Sequence, residues 1–271
     1  MKNLVLLALV FIVQTSLFGQ SYSPFCIGES FSIQSASLNE MRTIHIYTPY
    51  SGDSTIRKPE QIIYLLDASK NEDFIHVAGL LQFFELQFQI PPTLIVGIAN
   101  VDRKRDFTFP TEDKELKEAF PTTGGSAAFI EFIKTELKPE ITQRFGSFKK
   151  EIIIGQSLGG LLASEILLKH PNLFSDYLII SPSLWWDNES LLEEAPERIK
   201  KIKNKNAIIS VGKEGRIMVN DAKKLNKLLA KNKAISAHLN YFPKENHATI
   251  LHNALYKSFM EMMVRRNDAK P

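Results

Sequence analysis

The chain has 271 residues, and 44% of them are hydrophobic, which is enough to build one domain around an ordinary core. Its 33 basic and 30 acidic residues leave a formal net charge of +3, so charge gives no reason to expect nucleic-acid binding. Cys26 is the single cysteine of the sequence, which excludes an intrachain disulfide. The fold must therefore be held together by its core.

The first twenty residues have the pattern of a secretory signal peptide. Lys2 precedes an apolar run from Leu4 to Val13, and residues 14–20 are more polar. The run is too short to span a bilayer, and an N-terminal anchor or a buried strand is the alternative interpretation. We expect residues 1–20 to be removed on export and residues 21–271 to form a single domain, periplasmic or secreted, with no membrane span.

The first predicted elements after this segment are two half-buried strands. Residues 31–34 and 43–48 alternate between apolar and polar side chains, and no helical pattern separates them. We therefore expect an antiparallel hairpin at one edge of a sheet.

From about residue 60 onward, short apolar runs alternate with helical patterns. Runs rich in Ile, Val and Leu are typical of parallel strands that are covered on both faces. Strands are predicted at 61–66, 93–98, 151–154, 177–180, 207–211 and 235–242, and helices at 127–145, 158–169, 220–231 and 248–265. This alternation predicts an α/β fold with a mostly parallel, doubly wound sheet. The longest irregular stretch, 99–123, is expected to be a functional loop.

Residues 155–159 read Gly-Gln-Ser-Leu-Gly, a G-x-S-x-G motif between a predicted strand and a predicted helix. In a nucleophile elbow the serine occupies a sharp strand-to-helix turn, and the residues two before and two after it must be small. Gly155 and Gly159 meet this requirement, so Ser157 is the expected nucleophile. The alternative is a glycine-rich turn with an incidental serine. Because a helix N-terminus favours negative charge, the Leu158 amide is expected to be one oxyanion donor.

A nucleophilic serine needs a histidine base and a carboxylate that orients this base. In this type of fold the acid and then the histidine follow the serine along the chain. His247 lies in the loop between the last predicted strand and the last predicted helix, and His252 is the alternative. Glu214 comes three residues after the strand 207–211 and is the expected acid, with Asp221 as the alternative.

The second oxyanion donor is expected in the loop that follows the strand 61–66. The amide of Ser69 or Ala68 would face Leu158 across the site. Asp67, at the same strand exit, is either a turn residue that bonds its own loop or a contact to substrate.

Four further side chains are predicted to bind substrate. Trp185 and Trp186 lie just beyond a strand end, on the same sheet edge as Ser157, and would wall an acyl or aromatic pocket unless they pack into the core. Arg103 and Arg105 lie in the long loop and would bind an anionic or catecholate substrate unless they are simply solvated.

Four local features resemble the putative-esterase family of α/β-hydrolases, which includes enterobactin-type siderophore esterases, S-formylglutathione hydrolase, feruloyl esterases and mycolyltransferases. They are Tyr-Leu-Leu-Asp at 64–67, Asp-Arg-Lys-Arg-Asp-Phe-Thr at 102–108, the elbow with Gly160, and Ser-Pro-Ser-Leu-Trp-Trp at 181–186. The resemblance covers residues 28 to 265, and the last two features are most similar to the siderophore-esterase branch. One departure is Ala68, which stands where many members have glycine.

The resemblance implies the α/β-hydrolase fold and a triad of Ser157, Glu214 and His247, with oxyanion amides at Leu158 and near Ser69. It implies hydrolysis of a small-molecule ester through an acyl-enzyme. The same triad would also serve acyl transfer to another acceptor. A non-catalytic binding module of the same fold would be indicated by a missing triad member, and none is missing. No spacing of His, Cys and Asp suggests a metal site, so we expect neither metal nor cofactor.

Overall fold

The computed structural model describes residues 23–49 and 58–268. The predicted signal peptide, residues 1–20, lies outside these ranges. Among the described residues, no helix combines the length and the apolar character needed to cross a bilayer.

One sheet forms the centre of the described structure. Its eight strands are β1 (Glu29–Ser35), β2 (Glu40–Tyr47), β3 (Gln61–Leu65), β4 (Thr93–Ile98), β5 (Lys150–Gln156), β6 (Asp176–Ile180), β7 (Lys205–Gly212) and β8 (Ile235–Phe242). Their order in the sheet is β1-β2-β4-β3-β5-β6-β7-β8. The pairs β1–β2 and β2–β4 are antiparallel, and the other pairs are parallel. The predicted α/β-hydrolase sheet, mostly parallel with an antiparallel hairpin at its N-terminal edge, is confirmed.

Helices cover both faces of this sheet. They are α1 (Asp73–Phe88), α2 (Arg103–Phe107), α3 (Lys114–Ala119), α4 (Ser126–Phe132), α5 (Lys138–Phe145), α6 (Leu158–Lys169), α7 (Trp186–Ile199), α8 (Arg216–Leu229) and α9 (Ile250–Asp268), and a π-helical turn at Ile133–Leu137 joins α4 to α5. Helices α1 and α9 pack on one face, while α4 to α8 pack on the other. Every residue of β4 and β6 is therefore buried, which explains their continuous apolar sequences.

The helices of the structure differ from the predicted ones in three places. Helix α1 was not predicted, because exposed apolar residues such as Phe83 and Leu86 blur its amphipathic pattern. Helix α7 was also not predicted, since it contains Pro196 and has three non-helical residues, Asp187–Glu189, directly after its first residue. The stretch 99–123 was predicted to be irregular but contains α2 and α3.

The loops at the carboxyl ends of the parallel strands bring the predicted site residues to one edge of the sheet. Asp67 follows β3, Ser157 follows β5, Glu214 follows β7 and His247 follows β8. Ligands of open α/β sheets bind at this edge, because the crossover connections leave a crevice there.

Candidate active site

Ser157 occupies a strained turn between β5 and α6. Its backbone angles are φ 60° and ψ −120°, which a residue other than glycine rarely adopts. A Cβ at Gly155 would lie 2.2 Å from the carbonyl oxygen of Gly159, so the turn can close only with glycine there. The side-chain hydroxyl is thereby presented at the sheet edge, as the nucleophile elbow requires.

Gly160 allows α6 to pack directly against the turn that follows β6. A Cβ at this position would lie 2.9 Å from both the Ile180 carbonyl oxygen and the Pro182 Cα. The same turn returns to the nucleophile, because the Ser183 amide donates to the Ser157 carbonyl oxygen at 3.0 Å. The Ser183 Oγ lies 3.4 Å from the Ser157 Oγ. Glycine at 160 and the serine-rich turn are therefore parts of one local structure.

Glu214 and His247 form the predicted acid–base pair of the triad. The Glu214 Oε2 lies 2.6 Å from the His247 Nδ1, and the glutamate side chain is only 2% exposed. Its other oxygen, Oε1, accepts from the Ser181 hydroxyl at 2.5 Å and from the Gly212 amide at 2.8 Å. Burial alone would raise the pKa of Glu214, but hydrogen bonds from His247, Ser181 and the Gly212 amide hold this pKa below its ordinary value. The carboxylate is therefore ionised and oriented toward the imidazole.

The predicted base, His247, is held by its backbone and keeps an accessible ring. The His247 side chain is 48% exposed, and its carbonyl oxygen accepts from the Gln156 Nε2 at 2.6 Å. Among the described residues, the hydrogen-bond partner of the Ser157 hydroxyl is Ser183 rather than His247. Hydrogen bonds between nucleophile and base are often long in unliganded enzymes and tighten when substrate binds.

The two alternative residues lie elsewhere. Asp221 is on the second turn of α8, which begins at Arg216, four residues before the predicted start. It is 3% exposed, and burial together with the charge of Glu189 raises its pKa to about 6. His252 pairs with His76, ring nitrogen to ring nitrogen at 3.0 Å. Among the described residues, neither Asp221 nor His252 forms a hydrogen bond or ion pair with Glu214 or His247.

The candidate oxyanion amides differ in whether they already donate a hydrogen bond. The Leu158 amide lies at the N-terminus of α6, and no acceptor for it lies among the described residues. The Ala68 amide donates to the Ile98 carbonyl oxygen at 3.2 Å, and the Ser69 amide donates to the Glu72 Oε2 at 3.0 Å. Both of the latter amides are thus already bonded in this structure.

The left-handed residue at the exit of β3 is Asp67, at φ 53°, whereas Ala68 does not have positive φ. Alanine in place of glycine therefore causes no backbone strain at position 68. The Asp67 carboxylate bonds Arg103 through both oxygens, at 2.6 Å to Nε and 3.0 Å to Nη2. The same Nη2 lies 3.3 Å from the Gln156 carbonyl oxygen, beside the nucleophile. Asn100 donates to Asp67 as well, at 2.8 Å.

Arg105, predicted as a substrate contact, is instead part of the scaffold. Its guanidinium bonds both oxygens of Glu40, at 2.6 and 3.0 Å, and the Asp106 Oδ1 at 2.8 Å. Asp106 also pairs with Arg42, and both of these side chains are fully buried. Three of its N–H donors thus anchor α2 to β2, which gives Arg105 a structural role.

The two tryptophans have different surroundings. Trp186 has no exposed surface, and its Nε1 donates to the Phe109 carbonyl oxygen at 2.9 Å, so the prediction that it walls a pocket is wrong. Trp185 is half-buried, and its ring centroid lies 6.5 Å from that of Phe120. The Lys104 Nζ stands 4.8 Å from the centre of the Phe120 ring. Trp185 thus remains at the surface, beside a second aromatic ring and a cation.

Several residues of the site were not singled out by sequence reasoning. Ser181, Ser183, Gln156 and Lys104 lie within the motifs described above, but neither a serine-rich turn nor a glutamine or lysine indicates a role on its own. Asn100 lies in none of these motifs. Their roles depend on contacts that only the structure shows. Among the described residues, no group of three or more His, Cys, Asp or Glu side chains is arranged to hold a metal.

Known proteins share sequence and fold with this chain. Residues 35–255 match the family described as "Putative esterase". The ferri-bacillibactin esterase BesA of Bacillus subtilis (strain 168) is 34% identical over 198 residues, which are 65% of this chain and 66% of that protein. The chain thus spans just under two thirds of this relative, and about a quarter and a third of two fungal siderophore esterases.

Two solved structures have the same fold. An IroE-like serine hydrolase from Shewanella oneidensis is 29% identical, with a TM-score of 0.77 over 87% of this chain and 80% of its own. The BES protein from Bacillus cereus is 27% identical, with a TM-score of 0.76 over 88% of this chain and 95% of its own.

Proposed function

Because the chain belongs to the Putative esterase family, we propose that it is a serine carboxylic-ester hydrolase that acts on siderophore-type esters through an acyl-enzyme. The observation that carries this proposal is the buried Glu214 carboxylate, 2.6 Å from the His247 Nδ1, at the edge of the sheet where Ser157 occupies its strained turn. The name of the relative from Bacillus subtilis, a ferri-bacillibactin esterase, supports the substrate class.

In the proposed first step, His247 accepts the proton of the Ser157 hydroxyl through its Nε2. The serine oxygen attacks the ester carbonyl carbon and forms a tetrahedral intermediate, whose negative oxygen is stabilised by the Leu158 amide. Glu214 stabilises the imidazolium that forms. The ester C–O bond then breaks, and the imidazolium gives its proton to the departing alcohol.

In the second step, water hydrolyses the acyl-enzyme. His247 takes a proton from the attacking water, the bond between the acyl carbon and the Ser157 oxygen breaks, and the serine recovers its proton. The products are a carboxylic acid and a free enzyme. The exposed ring of His247 suits this step, because it leaves room for water beside the base.

A second oxyanion donor requires one change from the present arrangement. The Ser69 amide bonds the exposed Glu72 side chain, which also accepts from the Asn100 Nδ2 and would have to turn away from both, whereas the Ala68 amide is bonded to the backbone of β4. We therefore favour Ser69 over Ala68. The Ser69 hydroxyl accepts from the backbone amide of Asn100 at 3.1 Å, and this bond fixes the loop.

The substrate contacts are proposed to be Arg103 and Trp185. Arg103 uses its Nε and Nη2 on Asp67 and Gln156, and its Nη1 has no acceptor among the described residues. A guanidinium that is held in this way offers two directed donors to an anionic oxygen of a bound substrate. Trp185 would stack against an aromatic acyl group, and Asp67 acts by orienting the arginine rather than by touching substrate.

The proposal is tested with purified protein on a panel of esters. A catecholate trilactone, feruloyl, acetyl-sugar and short-chain aryl esters are compared by kcat/KM, and products are identified by mass spectrometry with and without an added alcohol acceptor. We expect the trilactone to be preferred and the free acid to be the product. Hydrolysis of the small esters alone would overturn the siderophore assignment, and an acyl-alcohol product would indicate a transferase.

We also propose that the chain is exported and that the mature domain begins close to Ser21. Support comes from the apolar run in residues 4–13 and the polar residues after it. N-terminal sequencing of protein from separated cell fractions tests this. A chain that begins at Met1 in the cytosolic fraction would contradict it.

A further inference from the structure

Ser181 has a backbone conformation that serine does not favour. It follows β6 with φ 42°, in the left-handed region where glycine is the preferred residue. It also precedes Pro182, and a residue before proline is sterically restricted to extended conformations. A fully buried serine under both constraints indicates that this position needs its hydroxyl.

The Ser181 hydroxyl bonds the carboxylate of Glu214. It lies 2.5 Å from Oε1, and the Gly212 amide lies 2.8 Å from the same oxygen. The other oxygen, Oε2, faces the His247 Nδ1. An ionised carboxylate only accepts, so the hydroxyl is the donor. The Ser181 amide donates to the Ser210 carbonyl oxygen at 2.7 Å, which fixes the turn on β7.

The local backbone does little to fix the conformation of Glu214, so its side chain depends on hydrogen bonds to its two oxygens. It stands between Lys213 and Gly215, and Gly215 has φ 89°, so the local chain has a wide choice of conformations. Glutamate also has one more rotatable bond than aspartate. A Cβ at Gly212 would lie 2.8 Å from the Glu214 Oε1, so the carboxylate folds back over its own loop.

We propose that Ser181 is a positioning residue, whose hydroxyl holds the Oε1 of Glu214 so that Oε2 points at His247. The proposal rests on the function proposed above and adds a fourth residue to its triad. The hydroxyl also helps to keep the buried carboxylate ionised, since its hydrogen bond opposes the effect of burial on the pKa of Glu214.

Three substitutions of Ser181 distinguish the role of its hydroxyl from the role of its backbone conformation. Ser181→Gly removes the hydroxyl but suits the positive φ, Ser181→Ala removes the hydroxyl and keeps the strain, and Ser181→Thr keeps a hydroxyl. We expect Gly and Ala to lower kcat by about 10- to 100-fold with KM little changed, because a hydrogen bond to a charged group is lost. Because Thr is β-branched and disfavours positive φ, it should lower the melting temperature more than Ala does, but the folded Thr variant should retain more activity than Ala. Melting temperatures should show the Gly variant at least as stable as the Ala variant.

The matched control is Ser210→Ala. Ser210 is buried in the neighbouring strand, and its hydroxyl has no partner among the described residues. The kcat of Ser210→Ala should equal that of the wild type. If Ser181→Gly also has the wild-type kcat, the role of Ser181 is confined to the turn and the inference is wrong.

Glu214→Gln, assayed on the same ester, separates this inference from the proposed triad. If Glu214→Gln is slow while the Ser181 variants are normal, only the positioning role of Ser181 fails. If Glu214→Gln itself has the wild-type kcat, the triad assignment fails, and the positioning role fails with it.

Discussion

Gln156 donates a hydrogen bond from its Nε2 to the carbonyl oxygen of His247 at 2.6 Å. The residue before the predicted nucleophile thus bonds the loop that carries the predicted base, although the two lie 91 positions apart in the chain. This bond ties the turn of Ser157 to the loop of His247.

Replacing Gln156 with alanine should therefore lower kcat by about fivefold to tenfold, because the loop of His247 loses a bond of about 1 kcal/mol. KM and melting temperature should change little. Gln82→Ala, at an exposed position of α1, is the matched control. An unchanged kcat in Gln156→Ala would show that the loop is held by its other contacts, such as the bond from the Lys213 amide to the Glu245 carbonyl oxygen at 2.7 Å.

The catalytic acid can be distinguished from its alternative by two isosteric substitutions. Glu214→Gln should lower kcat by about 10²- to 10⁴-fold, because the imidazole loses the carboxylate that orients it and stabilises its charged form. Asp221→Asn should have nearly wild-type kcat, since in the described structure it is Glu214, not Asp221, that bonds His247. Circular dichroism verifies that both variants fold. The reverse result would transfer the role of acid to Asp221.

Asp221 should instead affect stability in a pH-dependent way. Its pKa is about 6 in the folded protein and 3.8 ordinarily, so the folded state holds this proton to higher pH than the unfolded state does. Stability therefore falls as pH rises from about 4 to about 6, and the penalty is complete above pH 6. Asp221→Asn should be more stable than the wild type at pH 7.5, by about 1–2 kcal/mol, and should gain little at pH 4. Thermal unfolding at both pH values measures this, and an equal shift at both would contradict it.

Trp185 and Trp186 should respond differently to truncation. Trp185→Ala is expected to change the ranking of bulky against acetyl esters, with a small change in melting temperature, because the side chain lies half-exposed near Phe120. Trp186→Ala should cost about 3–5 kcal/mol of stability, because it empties a fully buried site. Esterase rates on two ester sizes and unfolding curves separate the two. An identical pattern in both variants would be incompatible with the structure.

Much of this site could be predicted because its chemistry depends on local sequence. The glycines around Ser157 have a steric cause within one turn, and the strand pattern orders Glu214 and His247 at one edge. The ion pair of Arg105 could not be predicted, because its partner Glu40 lies 65 positions away. The burial of Trp186 depends on the loop that contains Phe109, 77 positions away. The role of Ser181 could not be predicted either, because its conformation and its bond to Glu214 depend on the tertiary structure.

The central claim is that Ser157 is the nucleophile that His247 and Glu214 activate. The most direct measurement is covalent labelling with an organophosphonate, followed by peptide mapping of the adduct by mass spectrometry. The account predicts one adduct, on Ser157, together with loss of esterase activity, and no adduct in Ser157→Ala. An adduct on Ser183 or another residue, or a Ser157→Ala variant as active as the wild type, would contradict it.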